Sequence, residues 1–198
     1  FGIPIAVRTK RSGPRRPHAL VLAPTRELAQ QIEAELTPIA DARDLRVLSV
    51  YGGVGYEKQK RTLKRGVDVL VATPGRLLDL HGRQSVVFDD IEVLVLDEAD
   101  RMVDMGFAPD LKRILRLLPN DRQTLLFSAT MPPALNDVAR EALYDPVRID
   151  LAPQTRPAAG ITQAVYPVPQ ELKPALLARL IRGGDIRQAL VFTRTKHR

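Results

Sequence analysis

Asp97-Glu98-Ala99-Asp100 follows directly on the apolar run Ile91-Glu92-Val93-Leu94-Val95-Leu96. A β-branched apolar run of this length reads as a buried strand of a parallel sheet. Two adjacent carboxylates at its carboxyl end then sit where open α/β sheets bind their ligands. They repel one another unless a cation or a proton intervenes, and a nucleotide-bound Mg²⁺ is the usual counter-charge. One Asp holds the ion, and the neighbouring Glu orients or deprotonates an attacking water. The alternative is a plain helix start, because Asp and Glu favour the positive end of a helix dipole.

The elements that must position this cluster follow the same pattern along the chain. Ala19-Leu20-Val21-Leu22-Ala23 runs into Pro24-Thr25-Arg26-Glu27-Leu28-Ala29, and Leu48-Ser49-Val50-Tyr51 runs into Gly52-Gly53. Val67-Asp68-Val69-Leu70-Val71-Ala72 runs into Thr73-Pro74-Gly75-Arg76, and Thr124-Leu125-Leu126-Phe127 into Ser128-Ala129-Thr130. Each predicted strand ends in a small, polar or charged cluster, so the clusters fall together on one sheet edge. Loops at the carboxyl edge carry function in this architecture.

Strand and helix patterns alternate from residue 19 to about 150, which implies βαβ units and a parallel sheet. Thr25 is a plausible cap for a helix with Leu28, Ile32, Leu36 and Ile39 along one stripe. Phe107, Leu111, Ile114, Leu115 and Leu118 form a second such stripe, with Met102 and Met105 as core filler beside it. A further helix spans 132–143, opened by Pro132-Pro133. Residues 151–160 lack periodicity and read as an interdomain linker. A strand at 162–168, a helix at 171–182 and a strand at 188–193 then open a second unit with too few residues to bury a core of its own.

Composition narrows the class. The 198 residues are 44% hydrophobic and 27% charged, as in a soluble globular protein, and no apolar run approaches the length of a membrane span. Phe1 to Val7 is too short for a secretory signal. The chain has no cysteine, which excludes disulfides and thiol chemistry and fits a cytoplasmic setting. His18, His81 and His197 are isolated and read as surface or packing residues. A net charge of +7 and a pI near 10.0 favour a polyanionic partner. The basic excess lies in Arg8 to Pro17, a Pro- and Gly-punctuated loop, and in Lys58, Lys60, Arg61, Lys64 and Arg65 on a predicted helix. The alternatives are a solvated loop and a solvated helix face, and the first cluster is read as such a loop, a flexible excursion between elements rather than a shaped binding surface.

Taken together, these motifs resemble the DEAD-box family of ATP-dependent RNA helicases. Pro24 to Ala29 is similar to the family's motif Ia, Gly52-Gly53 to its double-glycine motif, and Thr73 to Arg76 to motif Ib. Asp97 to Asp100 is similar to motif II and Ser128 to Thr130 to motif III, while Leu190-Val191-Phe192-Thr193-Arg194-Thr195 looks like motif IV, which opens the second RecA-like domain. The resemblance implies a RecA-like α/β fold with flanking helices over 1–150, a linker at 151–160 and the start of a second RecA-like domain at 161–198. It implies ATP and Mg²⁺ as cofactors and RNA as partner. Asp97 would hold the Mg²⁺ through water, Glu98 would position the hydrolytic water, and Asp100 with Ser128, Ala129 and Thr130 would couple the nucleotide to strand separation. Pro24, Thr25, Arg26, Glu27, Gly52, Gly53, Thr73, Pro74, Gly75, Arg76 and Thr193 would line the RNA, with contacts to phosphates and sugars that carry affinity without reading sequence.

Departures from the family pattern set further expectations. No G-x-x-x-x-G-K-[ST] phosphate-binding loop occurs in the chain, and no adenine-recognising Q motif or motifs V and VI. Phe1 to Val7 looks like the helix that follows the phosphate loop, so the chain reads as an internal fragment that would not hydrolyse ATP unaided. One alternative is a truncated relative that binds RNA or a protein partner without catalysis. Another is a DNA helicase of the same superfamily, which contacts to 2′-hydroxyls would distinguish.

Overall fold

Leu20, Leu22, Leu70, Ala72, Leu94 and Leu96 line one face of a sheet, and Ala19, Val21, Val69, Val71, Val93 and Val95 line the other. That alternation needs three strands buried on both sides. The computed structural model supplies them as β1 (Ala19–Leu22), β3 (Val69–Ala72) and β4 (Val93–Leu96), with every residue buried. β2 (Val47–Val50) and β5 (Gln123–Leu126) close the edges, and the five strands run parallel in the order β2-β3-β1-β4-β5. The structure describes residues 1–151, 162, 164–184, 186 and 188–193, which divide into the units Phe1–Arg148 and Ile149–Arg198.

Helices cover both faces, as a parallel sheet requires. α1 (Gly2–Arg8) and α2 (Arg26–Asp41) pack Ile5, Ala29, Ile32 and Leu36 against the valine face. On the leucine face lie α3 (Tyr56–Arg65), α4 (Pro74–Gly82), α5 (Ala99–Asp104), α6 (Ala108–Leu117) and α7 (Pro133–Ala142), through Leu63, Leu77, Met102, Ile114 and Val138. The predicted strands are real but shorter than their apolar runs. Ile91 and Glu92, for example, precede β4, and Val67 and Asp68 precede β3.

At the amino edge of the sheet, Asp68 is wholly buried, and Arg46 is its ion-pair partner. Its Oδ2 accepts from the Arg46 amide at 2.6 Å and from Nε at 3.1 Å, while Oδ1 accepts from Nη2 at 3.2 Å and from the Ser12 amide. Burial pushes this carboxyl up, but the Arg46 and Ser12 hydrogen bonds outweigh it, and the net position is below the ordinary carboxylate range. Gly66 (φ +96°) makes room for the guanidinium, since a Cβ there would stand 2.8 Å from Arg46 Nη1 and Nη2.

In the second unit, a 3₁₀ turn (Gln170–Leu172) leads into α8 (Lys173–Gly183). The strands expected at 162–168 and 188–193 do not form among the described residues of those ranges. A helix satisfies its backbone internally, whereas a strand needs hydrogen-bonding neighbours and a covered face. The linker residues 152–160 lie outside the described residues, as does His197.

Removing one partner of a buried ion pair leaves the other uncompensated, so Asp68→Ala should cost about 3–5 kcal/mol in denaturant unfolding. Because the folded Asp68 carboxyl is depressed, its stabilisation is fully present above the unfolded value near ~4 and is lost as pH falls toward the folded one. The stability gap between the wild type and Asp68→Asn should therefore narrow below about pH 4. A gap independent of pH would show that the charge of Asp68 is not what holds this edge.

Candidate functional site

The strand register puts Val50, Ala72, Leu22, Leu96 and Leu126 on one row across the sheet. The residue leaving each strand is pinned to its neighbour. Thr73 N donates to Val50 O at 3.0 Å, Ala23 N to Ala72 O at 3.0 Å, Asp97 N to Leu22 O at 3.0 Å and Phe127 N to Leu96 O at 2.8 Å. Five strands at about 4.8 Å spacing spread these exits over roughly 19 Å. The carboxyl edge thus presents Gly52-Gly53, Thr73, Pro24-Thr25, Asp97 and Ser128 in that order.

Over β4 and β5 the edge is acidic. A cleft of about 530 Å³ is lined by Asp97, Glu98, Asp100, Arg101, Asp104, Phe127, Ser128 and Ala129. Asp97 is half-buried, and its Oδ1 accepts from the Glu98 amide at 3.1 Å. Burial pushes the Asp97 carboxyl up, and the Glu98 charge adds to this, while the amide bond opposes it. Glu98 is in the left-handed region (φ 48°, ψ 51°) immediately before α5, a backbone strain that nothing in the residue order announces. Its carboxylate pairs with Arg101, with Nη1 to Oε2 at 3.1 Å.

Asp100 ties the β4 and β5 exits together. Its Oδ2 accepts from Thr130 N at 2.9 Å and from Thr130 Oγ1 at 2.7 Å, and its own amide donates to Ser128 Oγ at 3.1 Å. Ser128 Oγ in turn donates to Thr130 O at 2.8 Å. Burial pushes the Asp100 carboxyl up, but the Thr130 and Ser128 hydroxyls and the Arg101 and Thr130 amides more than offset it, so it lies below the ordinary range.

Over β1, β2 and β3 the edge is glycine and arginine. Thr25 caps α2, its Oγ1 accepting from Leu28 N at 3.2 Å. Arg26 is exposed, lies 5.9 Å from the Tyr51 ring centroid and makes a 3.4 Å ion pair with Glu27, the partner its residue order suggests. Gly53 (φ +79°) has open space where a Cβ would stand, so backbone is accessible there. Pro74, buried, starts α4, and Gly75 is exposed beside it. Arg76 reaches across to α3 and the glycine loop: Nη1 donates to Gln59 Oε1 at 2.7 Å and Nη2 to Val54 O at 3.2 Å. The buried Gln59 also donates to Tyr51 O at 3.3 Å.

Gln59 and Arg101 have no motif to mark them in the sequence; Gln59 is found only through its contact, while Arg101 stands at the three-residue spacing from Glu98 at which helical side chains meet. Thr193 lies in the second unit with Leu190, Val191 and Phe192 exposed, and the expected motif residues Arg194 and Thr195 lie outside the described residues. His81 stacks on Phe88 at 4.4 Å, and His18 Nδ1 lies 3.0 Å from Asp90 O, so both are packing residues.

A five-stranded parallel sheet with acidic and hydroxyl groups on one half of its carboxyl edge and glycine and arginine on the other is a RecA-like α/β domain. The family model described as DEAD/DEAH box helicase matches residues 1–138. The chain is 44% identical over 210 residues to the DEAD-box ATP-dependent RNA helicase 3A, chloroplastic, of Zea mays, covering 99% of this chain and 27% of that protein. It is 41% identical over 200 residues to the DEAD-box ATP-dependent RNA helicase CshA of Streptococcus pneumoniae, covering 100% and 38%. The crystal structure of the yeast DEAD-box splicing factor Prp28 matches with a TM-score of 0.66 at 40% identity, covering 73% of this chain and 36% of that one. The chain belongs to the DEAD/DEAH box helicase family. It spans less than half the length of these relatives.

The strained Glu98 backbone gives a test independent of activity. Glycine removes the left-handed penalty, whereas alanine keeps it. Glu98→Gly should be more stable than Glu98→Ala by about 1 kcal/mol in thermal or denaturant unfolding. Equal stabilities would mean that the turn into α5 relaxes freely and that no strain is held there.

Proposed function

We propose that this chain forms the first RecA-like domain of an ATP-dependent RNA helicase, residues 1–150, with a linker at 151–160 and the opening of a second RecA-like domain at 161–198. The observation that carries this reading is the division of one sheet edge into an acidic half and a glycine–arginine half. Asp100 and the Ser128–Thr130 loop tie the β4 and β5 exits of the acidic half together, and Asp97 N, bonded to Leu22 O, stands at the boundary. ATP binding and hydrolysis at the first half would drive local opening of an RNA duplex held at the second.

Mg²⁺ fits the acidic half. The ion keeps most of its waters and takes one or two carboxylates plus substrate phosphates, so a half-buried Asp97 suffices as its protein anchor. Four carboxylates line the cleft against one guanidinium, so a phosphate chain could enter only with a cation. When bound, the ion would neutralise phosphate charge. Asp97 would hold it through water, and Glu98, freed from Arg101, would orient and deprotonate the attacking water. Asp100, Ser128, Ala129 and Thr130 would report nucleotide state to the rest of the edge.

On the other half, Thr25, Arg26, Gly53, Thr73 and Arg76 would contact RNA phosphates and sugars, with Pro24, Glu27, Gly52, Pro74 and Gly75 shaping the surface. Thr193 of the second unit would contact RNA as well. Among the described residues, Gln59 and Val54 engage two of the five Arg76 N–H donors, which leaves three for a phosphate. Such contacts grip the backbone rather than read bases. The cytoplasmic setting rests on the cysteine-free composition alone.

In a protein carrying this chain together with a phosphate-binding loop and a complete second domain, Glu98→Gln should retain ATP and RNA but slow RNA-stimulated hydrolysis by at least about 10²-fold. Undiminished turnover would remove Glu98 from the mechanism. Arg76→Ala should weaken binding alike across RNA sequences and flatten the salt dependence by about 0.7 for each phosphate it no longer neutralises. A loss confined to one sequence would make Arg76 a base reader instead.

A further inference from the structure

α3 leaves the glycine loop at the β2 exit and carries Lys58, Lys60, Arg61, Lys64 and Arg65, all exposed, while Gln59 and Leu63 are buried against the domain. At 3.6 residues per turn the five cations sweep about 160° of one continuous face. Glu57 is the one carboxylate on that helix. None of the five has a salt-bridge partner among the described residues, whereas Arg16, Arg46, Arg83, Arg101 and Lys112 each have a carboxylate within 3.3 Å.

Helix stability does not account for this set. Glu57 lies on the same face and offsets Lys60 and Arg61 at three- and four-residue spacing, but Lys58 with Arg61, Lys60 with Lys64, and Arg61 with both Lys64 and Arg65 are like-charge pairs at those spacings, each unfavourable. The helix dipole favours Lys64 and Arg65 in the last turn but opposes Lys58 in the first. Other basic groups lie beside the helix, although Arg16 and Arg83 among them are paired with Asp90 and Asp79. Arg15 N donates to Leu63 O at 3.0 Å, which anchors the basic 8–17 loop against the end of α3, and Tyr56 lies beneath both Lys60 (5.9 Å) and Arg83 (4.8 Å).

We propose that the exposed face of α3 is an auxiliary tract for the phosphate backbone of RNA, extending the sheet-edge site outward from Gly52–Gly55 to engage RNA flanking the strand held at the edge. The proposal rests on the RNA-binding reading of that edge. With no aromatic residue exposed on the helix, the tract grips phosphates and does not stack bases. Its contribution is independent of sequence and sensitive to salt.

The test compares the full chain with the variant Lys58→Gln, Arg61→Gln, Lys64→Gln, Arg65→Gln on two RNAs. One is a single strand just long enough to cross the sheet edge, and the other is the same strand extended by a duplex arm. Affinity is measured over a salt series, and circular dichroism and the unfolding midpoint verify that the variant folds. On the armed RNA the variant should bind at least about tenfold more weakly, with a salt slope reduced by roughly 0.7 to 0.9 for each phosphate left without its cation. On the short strand it should match the wild type. Unchanged binding of the armed RNA, or an equal loss on both RNAs, would overturn the tract. Polyglutamate binding that is abolished in the variant, with RNA binding intact, would assign the face to an acidic protein and overturn it too. Failure of the sheet-edge reading looks different: Arg26→Ala would then leave both RNAs bound as before.

Discussion

The parallel register of five short strands is the constraint on which the site depends. Because Val50, Ala72, Leu22, Leu96 and Leu126 share a row, the next residue of each strand emerges at the same height. Parallel ladders have slanted hydrogen bonds, so each emerging amide donates to the last carbonyl beside it. Thr73, Ala23, Asp97 and Phe127 are held this way by backbone alone. A one-residue slip would turn every side chain of a strand to the opposite face, and both faces here are packed by helices. The core therefore fixes the register, and the register fixes where the functional loops begin.

Strand order then separates two chemistries along that edge. β2, β3 and β1 carry glycine and arginine, β4 and β5 carry carboxylates and hydroxyls, and Asp97 sits at the boundary through its bond to Leu22 of β1. Asp100 spans the acidic half by gripping Thr130 while its amide engages Ser128. A change in cation or phosphate near Asp97 would therefore be felt one strand away without any movement of the sheet. The left-handed Glu98 lies between these two carboxylates, so that turn holds strained backbone at the edge.

Much of this was legible in the residues because the fold's demands are local and periodic. Buried parallel strands need unbroken apolar runs, and Ala19–Leu22, Val69–Ala72 and Val93–Leu96 provide them. Thr25 is recognisable as a cap because a hydroxyl there can reach Leu28 N. The runs overstate strand length because residues such as Val67 and Ile91 are buried before the ladder begins. The partnerships of Arg76 with Gln59 and Asp68 with Arg46 are not written in any spacing that could be read in advance, whereas Glu98 and Arg101 stand at the three-residue spacing of a helical pair. The first two join residues 17 and 22 positions apart that only the fold brings together. Residues 162–168 and 188–193 look like strands by composition, but composition cannot supply the neighbours a strand needs, and none forms among the described residues of those ranges.

The two ends of the strands are specialised in opposite ways. At the amino edge, Asp68 is fully buried and saturated by Arg46 and Ser12, an arrangement that tolerates no exchange of partners. At the carboxyl edge, Glu98, Arg26 and Arg101 are exposed and paired only by contacts that water screens, so each can change partner at small cost. On the proposed function, a site that would admit a polyanion on one half and a charged, metal-bearing ligand on the other would need such replaceable pairs. It would also need a scaffold that does not yield when they are exchanged. The buried ion pair at the far end of β3 and the aligned ladder between them meet that second requirement, which is why stability and chemistry are kept at opposite ends of the same strands.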